Sequence, residues 1–489
     1  MIVRTRFAPS PTGYMHVGNL RTALYAYLLA RKHGGTFILR IEDTDQEREV
    51  AGAVDIIYST LRQTGLLWDE GPDKGGPCGP YVQSERKPIY RQHADMLVDG
   101  GHAYYCFCDK ERLDLMRKRQ EAEGKQPKYD GHCRTLPRVE REKLIAAGKP
   151  WVIRQRIPDG GTTTFKDEVF GEITVENDTL DDNVLLKSDG LPTYNFANVV
   201  DDHLMGISHV IRGMEYLSSS PKYNLLYTAF GWDIPKYVHC PPVMRDAQRK
   251  LSKRDGDASY QDFIDKGYLN EAVMNYLALL GWSPGTDREK FTLAELAEVF
   301  DITGISKSPA IFDPVKLAWL NGEYLRALTP EEFTAKALPF IKQAVKREDV
   351  AFSTIAAVLH QRTEKLSDIP PQLDFIDTLP DYSPEMFIHK KSKTTFESSL
   401  ASLKAAREAL DTIPEGGWDH ATLHAALMGL VEKLGVKNAI VLWPVRVALS
   451  GKEFTPGGGI EIAHIIGRNE TLSRLERGIS LLEGAIRKQ

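Results

Sequence analysis

Residues 4–19, RTRFAPSPTGYMHVGN, constrain the fold more than any other stretch of the chain. Ile2 to Phe7 alternates apolar and basic residues as a short strand does. Pro9 to Gly13 stops it, and Asn19 to His33 carries apolar residues at helical spacing. A strand, a glycine turn and a helix in that order aim the free N–H groups of the helix's first turn at whatever lies beyond the strand's carboxyl end, a place that suits an anion. His16 and Asn19, one turn apart, are neutral donors within reach of phosphate oxygens or a ribose.

A lone histidine at a helix start is explained as well by packing as by binding. A second cluster far downstream changes the balance: Lys250-Leu251-Ser252-Lys253-Arg254, followed by Asp255-Gly256, is too polar to be core. Two lysines and an arginine around one serine suit a polyphosphate whose charge moves during a reaction.

His16-Val17-Gly18-Asn19 and Lys250-Leu251-Ser252-Lys253-Arg254 resemble the two nucleotide-binding motifs of class I aminoacyl-tRNA synthetases. The run from Arg6 through Gly13 is similar to the start of the glutamyl and glutaminyl members, and the segment 442–449, LWPVRVAL, resembles the C-terminal part of the bacterial glutamyl enzymes. Asn19 stands where the class-wide motif has histidine, a residue often absent from the glutamyl branch. The resemblance implies an α/β Rossmann-like parallel-sheet catalytic domain with an α+β insertion, followed by an all-α C-terminal region.

By the same resemblance, Arg6, Tyr194, Asn198 and Arg212 surround glutamate, Ala8 and Ser10 run along its backbone side, and Glu42 holds its ammonium. ATP falls to His16, Gly18, Asn19, Glu215, Val243, Lys250, Leu251, Ser252 and Lys253, with His16, Lys250 and Lys253 as the catalytic groups and Mg²⁺ accompanying the nucleotide. These residue types fit the chemistry, since a small dicarboxylate asks for a bidentate guanidinium and for hydroxyl or amide donors that fix its orientation.

The chain has 489 residues, enough for roughly three domains with cores of their own. With 62 Lys and Arg against 67 Asp and Glu the net charge is −5, so bulk electrostatics do not draw the chain to nucleic acid and any tRNA contact must come from local basic patches. No stretch approaches the ~20 uninterrupted apolar residues of a membrane helix, and the N-terminus reads straight into a strand without a secretory leader. Five cysteines, an odd number, argue for a reducing cytoplasm rather than a disulfide scaffold. A monomer with no membrane contact is expected.

Further along, Thr36 to Ile41 reads as a second strand with Glu42 at its end, and 47–68 as a second helix. From about Ile89 helices and short strands suggest an insertion, in which Trp151 to Ile157 and Thr162 to Ile173 alternate like two strands. The strand from Val184 is expected to return the chain to the main sheet. The expected boundaries are 1–88 and 186–245 for the two halves of the catalytic domain, 89–185 for an inserted acceptor-stem-binding domain, 246–328 for a connecting helical module with the lysine loop, and 329–489 for an all-helical anticodon-binding region. In the last, Thr329-Pro330-Glu331-Glu332 is a helix start. Basic residues cluster there at 389–393, near Lys404 and Arg407, and at Arg446. The helical character favours glutamate over glutamine, because the glutaminyl relatives usually carry β-barrels there.

Cys106, Cys108 and Cys133 offer three ligands for tetrahedral zinc. Some bacterial relatives have a histidine two positions after the third cysteine; here that position is Thr135, and the adjacent His132 points the wrong way in an extended chain. Three reduced thiols without metal are therefore expected, and zinc, if bound, would be structural.

The expected activity is glutamate–tRNA ligase: ATP and glutamate give glutamyl-adenylate, and the terminal ribose of tRNA(Glu) takes the acyl group, with tRNA(Gln) left open as a second acceptor. The alternatives are a tRNA-independent nucleotidyltransferase or a short glutamyl-transferring relative, for which the helical tail is superfluous, and a tRNA-binding or regulatory paralogue with a retired site. The last would be favoured by loss of His16, Lys253 or Arg212, all of which are present.

Overall fold

The computed structural model describes residues 2–48, 50–251 and 259–488. Ser252 and Lys253 of the lysine cluster lie outside the described residues. The chain divides into two units: one runs to Phe263 and adds Val273–Asp313, and the other joins Ile264–Ala272 to Pro314 and everything after it.

In the first unit, β1 (Arg4–Phe7) leads through the proline turn to α1 (Val17–Lys32) and on to β2 (Thr36–Leu39), which pairs with β1 in parallel, Arg6 opposite Ile38. Hydrogen bonding outlasts the strands: Arg40 N donates to Phe7 O and Glu42 N to Pro9 O, both at 3.0 Å, so Glu42 is fixed beside the Ala8–Ser10 turn. The helix expected over 47–68 is shorter. It is α2 (Ala53–Gln63), because Gly52 before it and Gly65 after it take left-handed φ values of 79° and 75°.

The insertion opens with α3 (Lys87–Asp99), β3 (Ala103–Cys106), α4 (Lys110–Ala122), α5 (Arg138–Ala146) and β4 (Val152–Gln155). What reads in sequence as one strand over 162–173 is a hairpin, β5 (Thr162–Asp167) and β6 (Gly171–Glu176). The reason is local: the Asp167 carboxylate accepts from the N–H groups of Val169 and Phe170, closing a turn that Gly171 completes at φ 86°. β7 (Val184–Leu186) does not rejoin the main sheet as expected. It pairs antiparallel with β4, giving the order β3-β4-β7.

The return is made by α6 (Tyr194–Leu204), β8 (His209–Gly213), α7 (Ser220–Phe230) and β9 (Lys236–Cys240). β8 and β9 pair in parallel, and β5 adds alongside β9 with Asp167 opposite Tyr237, so the insertion's hairpin extends this sheet to the order β6-β5-β9-β8. Ser208 N donates to Arg4 O at 2.9 Å, bringing the start of β8 beside β1. Ligands of parallel sheets sit beyond the carboxyl ends of the strands, which here are Phe7, Leu39, Gly213 and Cys240.

The second unit is helical after Pro314. Its helix Pro330–Ala344, which follows Pro314–Arg326, starts on a capping box in which Thr329 accepts from Glu332 N and the Glu332 carboxylate from Thr329 N. Leu403, Leu427, Val445 and Leu475 are fully buried in one apolar core, the packing that supplies most helix stability.

Candidate active site

Arg6, Ala8, Ser10, Asn19, Glu42, Tyr194, Arg212 and Glu215 line one cavity of about 280 Å³ at the carboxyl ends of β1, β2 and β8. Thr12, Thr22, Arg48 and Tyr216 line it too. Arg6, Glu42 and Arg212 are buried, Thr22, Tyr194 and Tyr216 are half-buried, and Asn19 and Glu215 are exposed, so the cavity presents charges of both signs.

Burial raises the Glu42 carboxyl to about 7, more than Arg40 and Arg6 lower it. Arg40 Nη2 donates to Glu42 Oε1 at 3.1 Å. Arg6 is forked onto Asp202, Nε to Oδ1 at 3.0 Å and Nη2 to Oδ2 at 3.2 Å, and Arg40 Nη1 donates to the same Oδ1 at 2.8 Å. Burial alone would raise the Asp202 carboxyl; the two guanidinium groups outweigh it and hold it below the usual range. Arg212 is 4 % exposed and lies against the rings of Tyr223, Tyr216 and Tyr237, and its Nη1 is buried with no hydrogen-bond partner among the described residues. Tyr194 stacks on Tyr216, ring centroids 4.9 Å apart. A buried guanidinium nitrogen without a partner among the described residues, on a residue lining a cavity that also presents a carboxylate, suits a ligand carrying both charges.

The other sequence-predicted residues are placed differently. Asn198 is 2 % exposed and is not among the residues lining this cavity; its Nδ2 donates to Tyr194 O at 2.6 Å. His16 caps α1: its Nδ1 accepts from Gly18 N at 3.0 Å, and Nε2 lies 3.1 Å from Leu251 O. With Nδ1 accepting, Nε2 carries the proton and donates to that carbonyl. Residues 16–19 and 250–251 therefore meet at His16, and the chain comes back to it at Ser259. A Cβ on Gly18 would lie 3.2 Å from His16 Nδ1, so a side chain there would crowd the cap. Lys250 is exposed and bridges to Met244, just after Val243 at the start of the next short strand.

A model of the family described as tRNA synthetases class I (E and Q), catalytic domain, matches residues 2–319. The chain belongs to this family. A second model, the anticodon binding domain, matches 332–479. A glutamate–tRNA ligase of Clostridium tetani is 60 % identical over 484 residues, covering 99 % of each chain, and one of Clostridium botulinum strain Loch Maree is 60 % identical over 481, covering 98 % of this chain and 99 % of its own. Among solved structures, the glutamate–tRNA synthetase of Elizabethkingia anophelis superposes with a TM-score of 0.88 at 34 % identity, covering 98 % of this chain and all of its own.

Two features of this class I synthetase are not apparent from sequence. A second cavity, of about 600 Å³, shares Arg48 and Tyr194 with the first and is otherwise lined from 44–47 and 187–193. In the insertion, the sulfurs of Cys106, Cys108 and Cys133 lie within 4.8 Å of one another, and the oxygen beside them is that of Tyr129, whose hydroxyl is 3.4 Å from the sulfurs of Cys106 and Cys108. The neighbouring Cys133 thiol holds the Cys106 thiol well below the usual range. Three sulfurs and a hydroxyl around one point fit a tetrahedral metal that favours sulfur.

Of the basic clusters in the helical unit, Lys404 and Arg407 are spent on Glu483 and Glu476. His389 and Arg446 instead converge on the Trp443 ring, at 4.0 and 4.5 Å from its centroid.

Proposed function

We propose that the chain is a glutamate–tRNA ligase, activating L-glutamate with ATP and Mg²⁺ and passing it to the terminal ribose of tRNA(Glu). The observation that carries the reading is the cavity beside Arg212 and Glu42: a buried guanidinium nitrogen without a partner suits the side-chain carboxylate of glutamate, and Glu42 suits its ammonium. Tyr194, stacked on Tyr216, forms a wall against which the substrate carbon chain packs. The family, and the ligases matching over their whole length, support the same substrate.

No protein nucleophile is required. The α-carboxylate of glutamate attacks the α-phosphorus in line, and the protein positions the reactants and stabilises the charge that moves. Asn19 and the first turn of α1 serve the triphosphate, and Lys250 and Lys253 have the charge that the leaving pyrophosphate needs. Mg²⁺ sits on phosphate oxygens and water rather than in a protein cage. The second cavity, beyond Tyr194 and Arg48, receives the acceptor end of the tRNA, residues 89–185 hold its stem, and 329–489 read the anticodon with His389, Trp443 and Arg446 as a basic and aromatic platform. Cys106, Cys108, Cys133 and Tyr129 would hold a structural zinc. All five cysteines are free thiols, which fits a reducing cytoplasm.

Pyrophosphate exchange into ATP, with tRNA(Glu) present, tests the amino-acid site: glutamate is expected to support it, and glutamine and aspartate are not. Exchange driven by all three alike would contradict the assignment.

A further inference from the structure

Arg212 is held from behind. Its Nε donates to Nε2 of His239 on the neighbouring strand β9 at 3.0 Å, and its Nη2 donates to Ser220 Oγ at 3.1 Å. His239 is fully buried, with Nδ1 2.7 Å from Oδ2 of Asp167. Asp167 is fully buried too, and its remaining acceptor capacity is taken by the backbone N–H groups of Val169, Phe170 and His239.

The chemistry fixes each proton in this row. A guanidinium only donates, so His239 Nε2 must present a lone pair to Arg212, and Nδ1 then carries the hydrogen that the Asp167 carboxylate accepts. A doubly protonated ring would set N–H against N–H. Burial disfavours that form, and the Arg212 charge adds to it, against the opposing pull of Asp167. With Nε and Nη2 engaged, Nη1 is the Arg212 nitrogen left without a partner among the described residues, on a residue that lines the cavity.

We propose that His239 and Asp167 are positioning residues: the row Asp167–His239–Arg212 fixes the guanidinium so that its free nitrogen meets the side-chain carboxylate of the amino-acid substrate. The proposal rests on reading the cavity as the glutamate site. Neither residue touches that cavity, and sheet order alone brings them together, since Asp167 closes β5 opposite Tyr237. One wall of the amino-acid pocket is thus set by the inserted segment, through the side-chain hydrogen bond between Asp167 and His239.

Two substitutions at one position separate positioning from packing. His239→Gln puts a carboxamide oxygen close to where Nε2 was and keeps an acceptor for Arg212. His239→Asn reaches only the Nδ1 position, keeping the donor to Asp167 and stranding Arg212 Nε. In exchange assays His239→Asn is expected to raise the KM for glutamate roughly tenfold or more, with KM for ATP and kcat little changed, whereas His239→Gln stays within about threefold, a loss typical of slight misplacement. Nitrogen NMR of the full-length wild type, labelled at histidine, reads the row without any variant: His239 is expected as the neutral Nδ1–H tautomer from pH about 6 to 8. An Nε2–H or cationic ring, or equal glutamate KM values in wild type and both variants, would overturn the proposal. Absence of glutamate-dependent exchange in the wild type would overturn the site reading itself, and the two failures are distinct because the first leaves wild-type exchange intact.

Discussion

Glu42 Oε1 accepts from Arg40 Nη2 at 3.1 Å, with both side chains almost wholly buried, yet burial still lifts the Glu42 carboxyl to about 7. An ammonium binds the ionised form. The KM for glutamate is therefore expected to rise about tenfold as pH falls from about 8 to about 6, by proton linkage at a group titrating near 7. Glu42→Gln should show a high KM that no longer follows pH. The sign for folding is opposite to that of an ordinary ion-paired carboxylate: the unfolded chain releases this proton first, so Glu42 costs stability as pH rises from the usual glutamate range through 7. A KM flat with pH in the wild type would remove Glu42 from the ammonium site.

Lys253→Ala should slow adenylate formation by one or more orders of magnitude, comparable to the ~3 kcal/mol lost with one preorganised donor elsewhere, while leaving the fold almost unaffected. Pyrophosphate exchange measures it. Near wild-type exchange in the variant would mean that the 250–254 cluster does not serve the leaving group.

Asp202 takes hydrogen bonds from both Arg6 and Arg40, and all three side chains are buried. Asp202→Asn strands Arg6 and weakens one partner of Arg40, so a stability loss of about 3 kcal/mol is expected in urea unfolding of the first unit, the scale of a broken buried pair. A loss below about 1 kcal/mol would show that the pair adds little beyond its desolvation cost.

Zinc analysis of the purified chain is expected to give one ion, lost in Cys133→Ser and bound at least about tenfold more weakly in Tyr129→Phe, given that even outer partners of a metal reach that scale. Adenylate formation should survive its removal. A wild-type chain free of zinc after purification with the metal would rule the site out.

What the sequence made legible was local. The turn between β1 and α1 rests on Pro9, Gly13 and Gly18 acting on their neighbours, and the helix start at Thr329 on side chains three residues apart. The sequence misled where a side chain chose a nearby backbone partner: Asp167 bends an apparent strand into a hairpin. The residues missed altogether are those that only sheet order or subdomain packing brings together. His239 lies 72 positions from Asp167, and Tyr129 looks in sequence like an ordinary core tyrosine until it is seen against three sulfurs.

The central claim is tested most directly by charging purified glutamate tRNA and glutamine tRNA with labelled glutamate, ATP and magnesium. The account predicts glutamyl-tRNA(Glu), with charging of the glutamine tRNA as well marking a relaxed form that needs a partner amidotransferase. Charging of neither, with the tRNA still bound, would contradict it and leave a tRNA-binding protein whose active site no longer works.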